Sequence, residues 1–282
     1  MFGKIMKYEM KSSMKLFLII WAGLLAVALA GGFLVNSKGG ELADNYFIVQ
    51  NLAIGSGGAI NTLMILLYVA LAIGIVALSL IFIIQRFNKG LLGREGYLMF
   101  TLPVKTRTLI LGKCVSAAVV VVLSILAGLL SILLFVLPSL SGFGEIKEVI
   151  SGILDYISYN SSEFKYLVPC IVLMVVMAIM SVFKFIYQVY ASVSIGHLFD
   201  RHKTLMSVVA YVGICIVEGI AGTAVIEFIA EHIPFFRGDW NADFGDPETL
   251  YIFGGVIVAQ IVCIVIYHIV TEAILKNKLN LE

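Results

Sequence analysis

TLMILLYVALAIGIVALSLIFIIQ, residues 62–85, runs for twenty-four residues without a charged side chain. About 20 apolar residues span a bilayer as a helix. In hydrocarbon a single segment must be helical, because its backbone N–H and C=O groups have to find partners within it. The stretch is too long for a strand. As the core of a soluble domain it would have to be covered on every side.

Five further stretches of the same kind lie at 16–35, 109–137, 167–196, 205–230 and 251–275. The third and fourth stretches in chain order are long enough to tilt or to project beyond the bilayer. Composition agrees: 61% of the 282 residues are hydrophobic and 13% are charged, against about 45–50% and 25% in soluble domains. The expected fold class is an all-α integral membrane protein, a single transmembrane domain over 1–282 with six transmembrane helices.

Orientation follows the distribution of Lys and Arg. Fourteen of the nineteen fall on one side, in the N-terminal segment, in the segments that follow the second and fourth spans, at the C-terminus and, for Lys113, just inside the near end of the third span; four fall in the alternate segments, and Lys184 lies deeper within a span. Both termini are therefore expected inside (N-in/C-in), and most acidic residues cluster on the other side. Residues 1–15 read as an interfacial amphipathic helix, with Lys4, Lys7, Lys11 and Lys15 on one stripe and Phe2, Ile5, Met6 and Met10 roughly opposite. Glu9 interrupts the apolar side. Ala28-Leu29-Ala30 fits a signal-peptide cleavage site, but the apolar run continues to Val35, which favours a retained span.

Of the external segments, 36–61 is Gly-rich. Residues 138–166 carry Ile146, Val149, Ile150, Ile153, Leu154 and Ile157 at helical spacing, which predicts a short amphipathic helix. Residues 231–250 contain Pro234, Gly238, Gly245 and Pro247 and should be irregular. Cys114, Cys170, Cys215 and Cys263 each sit alone in an apolar run and read as small buried residues.

Soluble catalytic chemistry is hard to place. The chain has no P-loop, no His-Glu-x-x-His and no Gly-x-Ser-x-Gly. His197 and His202, with Asp200 between them, read as a solvated polar turn in preference to a metal site. No basic cluster on a soluble domain points to nucleic acid. The ionisable residues inside spans carry more information, because a charge near the bilayer centre costs at least about 2.5–3.5 kcal/mol. Glu218 lies mid-span beside Gly219 and Gly222; Lys184 has Gln188 one turn on, and Glu227 lies near the end of its span. Lys184, Gln188, Glu218 and Glu227 are candidates for a translocation path. The competing readings are snorkelling for Lys184, interfacial exposure for Glu227 and structural pairing for Glu218. Gly213, Gly219 and Gly222 suit close helix packing, and a dimer interface is one use for it.

The segment 86–108 holds five basic residues, and Leu91, Glu95, Leu98 and Leu102 recur at helical spacing before Pro103. Proline lacks an N–H and biases its predecessor away from the helical region. The pattern predicts a short helix on the inner surface, stopped by a rigid turn, between two spans.

The string REGYLMFTLPV, Arg94 to Val104, followed by Leu111-Gly112-Lys113, resembles the first cytoplasmic loop of ABC type-2 export permeases. FGKIMKYEMKSSMK, residues 2–15, resembles that family's basic connecting helix, and Ser192 to His197 resembles the end of its fourth helix. The topology is similar over nearly the whole chain, while the specific strings cover about a tenth of it. The resemblance implies a coupling helix formed by Arg94, Glu95, Gly96, Tyr97, Leu98, Thr101, Leu102 and Pro103, docked on a separate cytoplasmic ABC ATPase subunit. It implies a second permease subunit, identical or not, and ATP with Mg held by the ATPase and not by this chain. This chain would then be a transport subunit and not an enzyme, exporting a peptide, a drug or a lipid-like molecule. The short third external segment without a cysteine pair suits a bacterial cytoplasmic membrane. A secondary transporter using Glu218 and Lys184 is the alternative, although no inverted repeat is visible. A membrane-embedded enzyme would need clustered catalytic residues, which the spans do not supply.

Overall fold

The computed structural model describes residues 2–36, 58–92, 106–137, 147, 151–152, 166–199, 201–232 and 247–277. Among these there is no strand. The described residues form six long helices: α1 (Phe2–Asn36), α2 (Gly58–Phe87), α3 (Thr106–Val136), α4 (Leu167–Gly196), α5 (Lys203–His232) and α6 (Pro247–Asn277). Among the described residues, α2 to α6 are long and apolar enough to cross a membrane, and the apolar stretch found within α1, Phe17–Phe33, is shorter. Most of the helices extend beyond their apolar runs, since polar residues at the ends continue the same backbone ladder; α4 coincides with its run. α3, at 31 residues, is about 46 Å long at 1.5 Å per residue, more than the roughly 30 Å of hydrocarbon.

Residues 1–15 do not form a separate element, because Phe2–Asn36 is one unbroken helix. α2 likewise runs directly into a π-helical turn, Asn88–Leu92. Leu91, the first member of the apolar stripe expected on the inner-surface helix, is fully buried in that turn. The remaining positions of that helix, Arg94 to Pro103, lie outside the described residues, as does most of 138–166. Within the latter, Lys147, Ser151 and Gly152 are helical and exposed.

The chain divides into two compact units. The first comprises Gly3–Phe82 and Val119–Tyr159. Its core is Phe17, Trp21, Leu24, Ile75 and Val120, flanked by Tyr68, Leu71, Leu123 and Ala127. Phe17 meets Phe82 edge-on at 5.2 Å, and Tyr68 stacks on Phe135 at 5.1 Å. Trp21 Nε1 donates to Ser124 Oγ at 3.1 Å, and the Tyr68 and Ser131 hydroxyls pair at 2.9 Å. These bonds satisfy polar groups that would be costly to leave bare in hydrocarbon.

The second unit comprises Ile83–Ala118 and Asn160–Glu282. Here α4 packs on both α5 and α6. Tyr190, Ile186, Phe87, Leu91 and Ile110 are fully buried, and Phe87 stacks on Tyr190 with ring centroids 4.2 Å apart. Lys113, although charged, is only 3% exposed and lies against Gly90 of the π-helical turn. A Cβ at position 90 would occupy the space of the Lys113 ammonium. Wide π-turns and glycine together make room for a long side chain that a regular α-helix would exclude.

α4 closes at Gly196. His197 N–H bonds to Val193 O at 3.1 Å, and its Nδ1 contacts the same carbonyl at 2.9 Å. The reversal into α5 passes through His202, whose φ of 55° is left-handed. A Cβ at Gly196 would come within 2.6 Å of Ser207 Cα, so the two helices meet backbone to backbone here.

Away from these contacts the helices present large aliphatic side chains outward: Leu63, Ile73, Val168, Val217, Ile220 and Val258 are each more than 60% exposed. Water would not tolerate so much contiguous apolar surface, and lipid does.

Candidate functional site

Within the second unit, the helices α4, α5 and α6 carry their polar side chains toward one another. Lys184 is the eighteenth of thirty residues in α4 and Glu218 the sixteenth of thirty in α5, so both sit near mid-helix. They form an ion pair, Lys184 Nζ to Glu218 Oε1, at 3.0 Å. The approach is not aligned as a hydrogen bond, so Oε1 feels the ammonium mainly as charge. Gln188, one turn beyond Lys184, donates its Nε2 toward Glu218 Oε2 at 3.5 Å and toward Cys215 Sγ at 3.3 Å. From α6, the Tyr267 hydroxyl and Cys263 thiol lie within hydrogen-bonding reach of the same carboxylate.

Three of the four candidates from the sequence, Lys184, Gln188 and Glu218, thus converge on one point. Snorkelling is not how Lys184 is accommodated: its ammonium turns to Glu218. Glu227 is exposed near the end of α5, nine residues beyond Glu218, and joins none of these contacts. The coupling-helix candidates Arg94, Glu95, Gly96, Tyr97, Leu98, Thr101, Leu102 and Pro103 lie outside the described residues.

A second polar centre went unnoticed in the sequence. Arg107 Nε, in the first turn of α3, donates to both carboxylate oxygens of Glu272 at 2.8 Å. The Glu272 side chain is 11% exposed and that of Arg107 68%, so solvent at the helix end reaches the pair from the arginine side. One turn before Glu272 lies His268, whose ring meets Tyr187 of α4 edge-on at 5.5 Å. Tyr187 also shares a hydrogen bond with the buried Cys114 thiol of α3. The available signal was the acidic residue three positions before the end of an apolar run, one helical turn before Lys276.

The chemistry this arrangement supports is electrostatic. It has an acid and a base held in contact, a ring of weak donors around them and, among the described residues, no group of three or more His, Cys, Asp and Glu placed to hold a metal. Compared with protein-family models, curated proteins and solved structures, the chain matches none.

Proposed function

We propose that this chain is the transmembrane permease subunit of an ATP-binding cassette exporter of the type-2 class. The observation that carries the reading is the position of the string Arg94 to Val104. It falls in the thirteen residues, 93–105, that join the π-helical end of α2 to the start of α3. A segment between two membrane-length helices is where a coupling helix can push on both. Lys113, from the Gly-Lys pair that completes the resemblance, is buried against Gly90 at the end of α2. That contact supports the reading because it ties together the two helices flanking the segment.

In this proposal α1 is the sixth span, both termini face the cytoplasm, and the membrane is the bacterial cytoplasmic membrane. A separate ATPase binds ATP and Mg, a second permease subunit completes the pore, and nucleotide-driven closure of the ATPases alternates access between the two sides. The test is co-purification of the tagged chain with an ATPase from its native membrane. Glu95→Lys with Tyr97→Ala should release that ATPase while leaving the folded chain in the membrane. Undiminished assembly of the double variant would reject the proposal.

A secondary transporter is the second reading, favoured by one observation: the Lys184–Glu218 contact at 3.0 Å. Intramembrane acid–base pairs recur where ions are bound and released. Substrate uptake into vesicles driven by a proton gradient, without ATP, would select it; uptake that requires ATP and a second chain would exclude it.

A further inference from the structure

Contacts within the second unit gather five helix ends at one end of its bundle. Arg107 with Glu272 joins the start of α3 to the end of α6, and Lys113 against Gly90 joins α3 to the end of α2. Gly196 against Ser207 joins the end of α4 to the start of α5, and Phe87 stacked on Tyr190 ties the two sets together. Besides the buried Lys113, these ends and the short reversal before α5 carry Arg86, Lys89, Arg107, Arg201, Lys203 and Lys276. Against them stands one acid among the described residues, Glu272.

Their depth decides what the cations meet. Arg107 stands two residues before the apolar run of α3, and Lys276 directly follows that of α6. At 1.5 Å per residue these positions are about 3 Å and about 1.5 Å beyond the apolar edge. The headgroup layer on each side of a bilayer is about 5–8 Å thick, so both side chains end among lipid phosphates.

At this edge two cations stand over one carboxylate. Both bonds from Arg107 to Glu272 leave from Nε, so among the described residues the two Nη amino groups are left to an outside acceptor. Lys276 is exposed, one turn on from Glu272, and near enough for its charge to act on that carboxylate. The Arg107 side chain is 68% exposed and that of Glu272 only 11%, so the groups presented outward are the cations. The positive dipole end of α3 adds to the attraction for an anion, and Lys276 offsets the negative end of α6. A phosphate can accept from an arginine fork and a lysine point charge at once.

We propose that Arg107 and Lys276 bind the phosphate headgroup of an anionic phospholipid in the leaflet at this end of the second unit. Glu272 is a positioning residue: it fixes Nε and turns the Nη groups outward, while its charge opposes the headgroup. The bound lipid bridges the start of α3 and the end of α6. This inference needs only that the chain lies in a membrane, and it stands or falls separately from the ATP-driven reading and from the gradient-driven one.

The test places the purified full chain in mixed micelles holding phosphatidylglycerol and phosphatidylcholine of the same acyl chains in equal amounts. Native mass spectrometry gives the ratio of the two in the first lipid retained. The ratio should favour phosphatidylglycerol and fall about fivefold in Arg107→Gln and in Lys276→Gln. In Glu272→Gln, which keeps a carbonyl to accept from Nε and loses the negative charge, it should rise at least twofold. Arg107→Gln and Glu272→Gln both remove the ion pair, so a purely structural role would move them the same way. Lys147→Gln, at an exposed lysine of the other unit, should leave the ratio unchanged. Excess inorganic phosphate should leave the lipid in place, because it lacks the acyl chains that hold the headgroup here. Lys276 is exposed in the last turn of α6, so its substitution keeps the test decisive if Arg107→Gln misfolds. A Lys276→Gln ratio equal to that of the native chain, or a fall in Glu272→Gln matching that in Arg107→Gln, would overturn the proposal. So would displacement by phosphate, which would show a site for free anions. Equal retention of the two lipids by the native chain would overturn it as well and leave an acidic protein surface as the occupant of this face.

Discussion

Removing one charge of the Lys184–Glu218 pair should damage the fold more than removing both. In Glu218→Gln, Lys184 keeps an ammonium near mid-helix with its neighbours unchanged. Its side chain is 29% exposed and that of Glu218 is 22% exposed. An unpaired charge at the centre of a span costs about 2.5–3.5 kcal/mol on insertion scales, and breaking a buried pair in proteins costs about 3–5 kcal/mol. Because each side chain retains some freedom to turn toward water, we take the lower end, about 2.5 kcal/mol for either Glu218→Gln or Lys184→Met. That is roughly a 60-fold change in the unfolding equilibrium, at 1.4 kcal/mol per factor of ten. Lys184→Met with Glu218→Leu removes both charges and fills similar volume, so its cost should be under about 1 kcal/mol, or negative. The assay is reversible unfolding in mixed micelles by titration with sodium dodecyl sulfate, followed by helix circular dichroism. A double variant whose loss equals the sum of the singles would refute the reasoning. So would single variants within 0.5 kcal/mol of the parent, the range expected of an inconsequential surface change.

Gly196→Ala should cost about 1–3 kcal/mol, because the new Cβ meets the Ser207 backbone as well as its hydroxyl, and backbone cannot swing aside; the same unfolding titration measures it. Ser124→Ala leaves Trp21 Nε1 without its 3.1 Å acceptor and should cost about 1–3 kcal/mol, and repeating the substitution in a Trp21→Phe background should abolish most of that loss. Arg107→Glu should lower the melting temperature in detergent by placing like charges against each other at the start of α3 and the end of α6, and Arg107→Glu combined with Glu272→Arg should restore it; a swap that fails to restore would show that the contact does not matter to stability.

Hydropathy revealed the long helices because lipid imposes a simple length rule, and the apolar run 62–85 alone settles one of them. It missed the extent of α2 because Asn88, Lys89 and Gly90 look like loop residues, whereas the backbone continues through them as a π-turn with Gly90 and Leu91 buried. The residue types of the polar centre were readable, since Lys184, Gln188 and Glu218 interrupt otherwise apolar spans. Their meeting was not. In water an amphipathic stripe tells which face of a helix turns inward; in lipid α5 is apolar nearly all round, so its rotation about its own axis leaves little trace in the sequence. For the same reason Arg107 and Glu272, 165 positions apart, looked like separate features of two helix ends. Gly196 gave no warning of its contact with Ser207, because one glycine near the end of an apolar run has many uses.

That contact has a mechanical consequence. With only the Ser207 hydroxyl beside the close backbones at Gly196 and Ser207, this contact is the fulcrum about which any change in the angle between α4 and α5 would turn, as the blades of scissors do. Glu218 lies eleven residues past Ser207, a lever arm of about 16 Å. A rotation of about 5° at the fulcrum moves the carboxylate by about 1.4 Å on that arm, enough to open the 3.0 Å contact with Lys184 past 4 Å. A small twist at the His197–His202 reversal would thereby be enlarged into the making or parting of an acid and a base in the middle of the membrane.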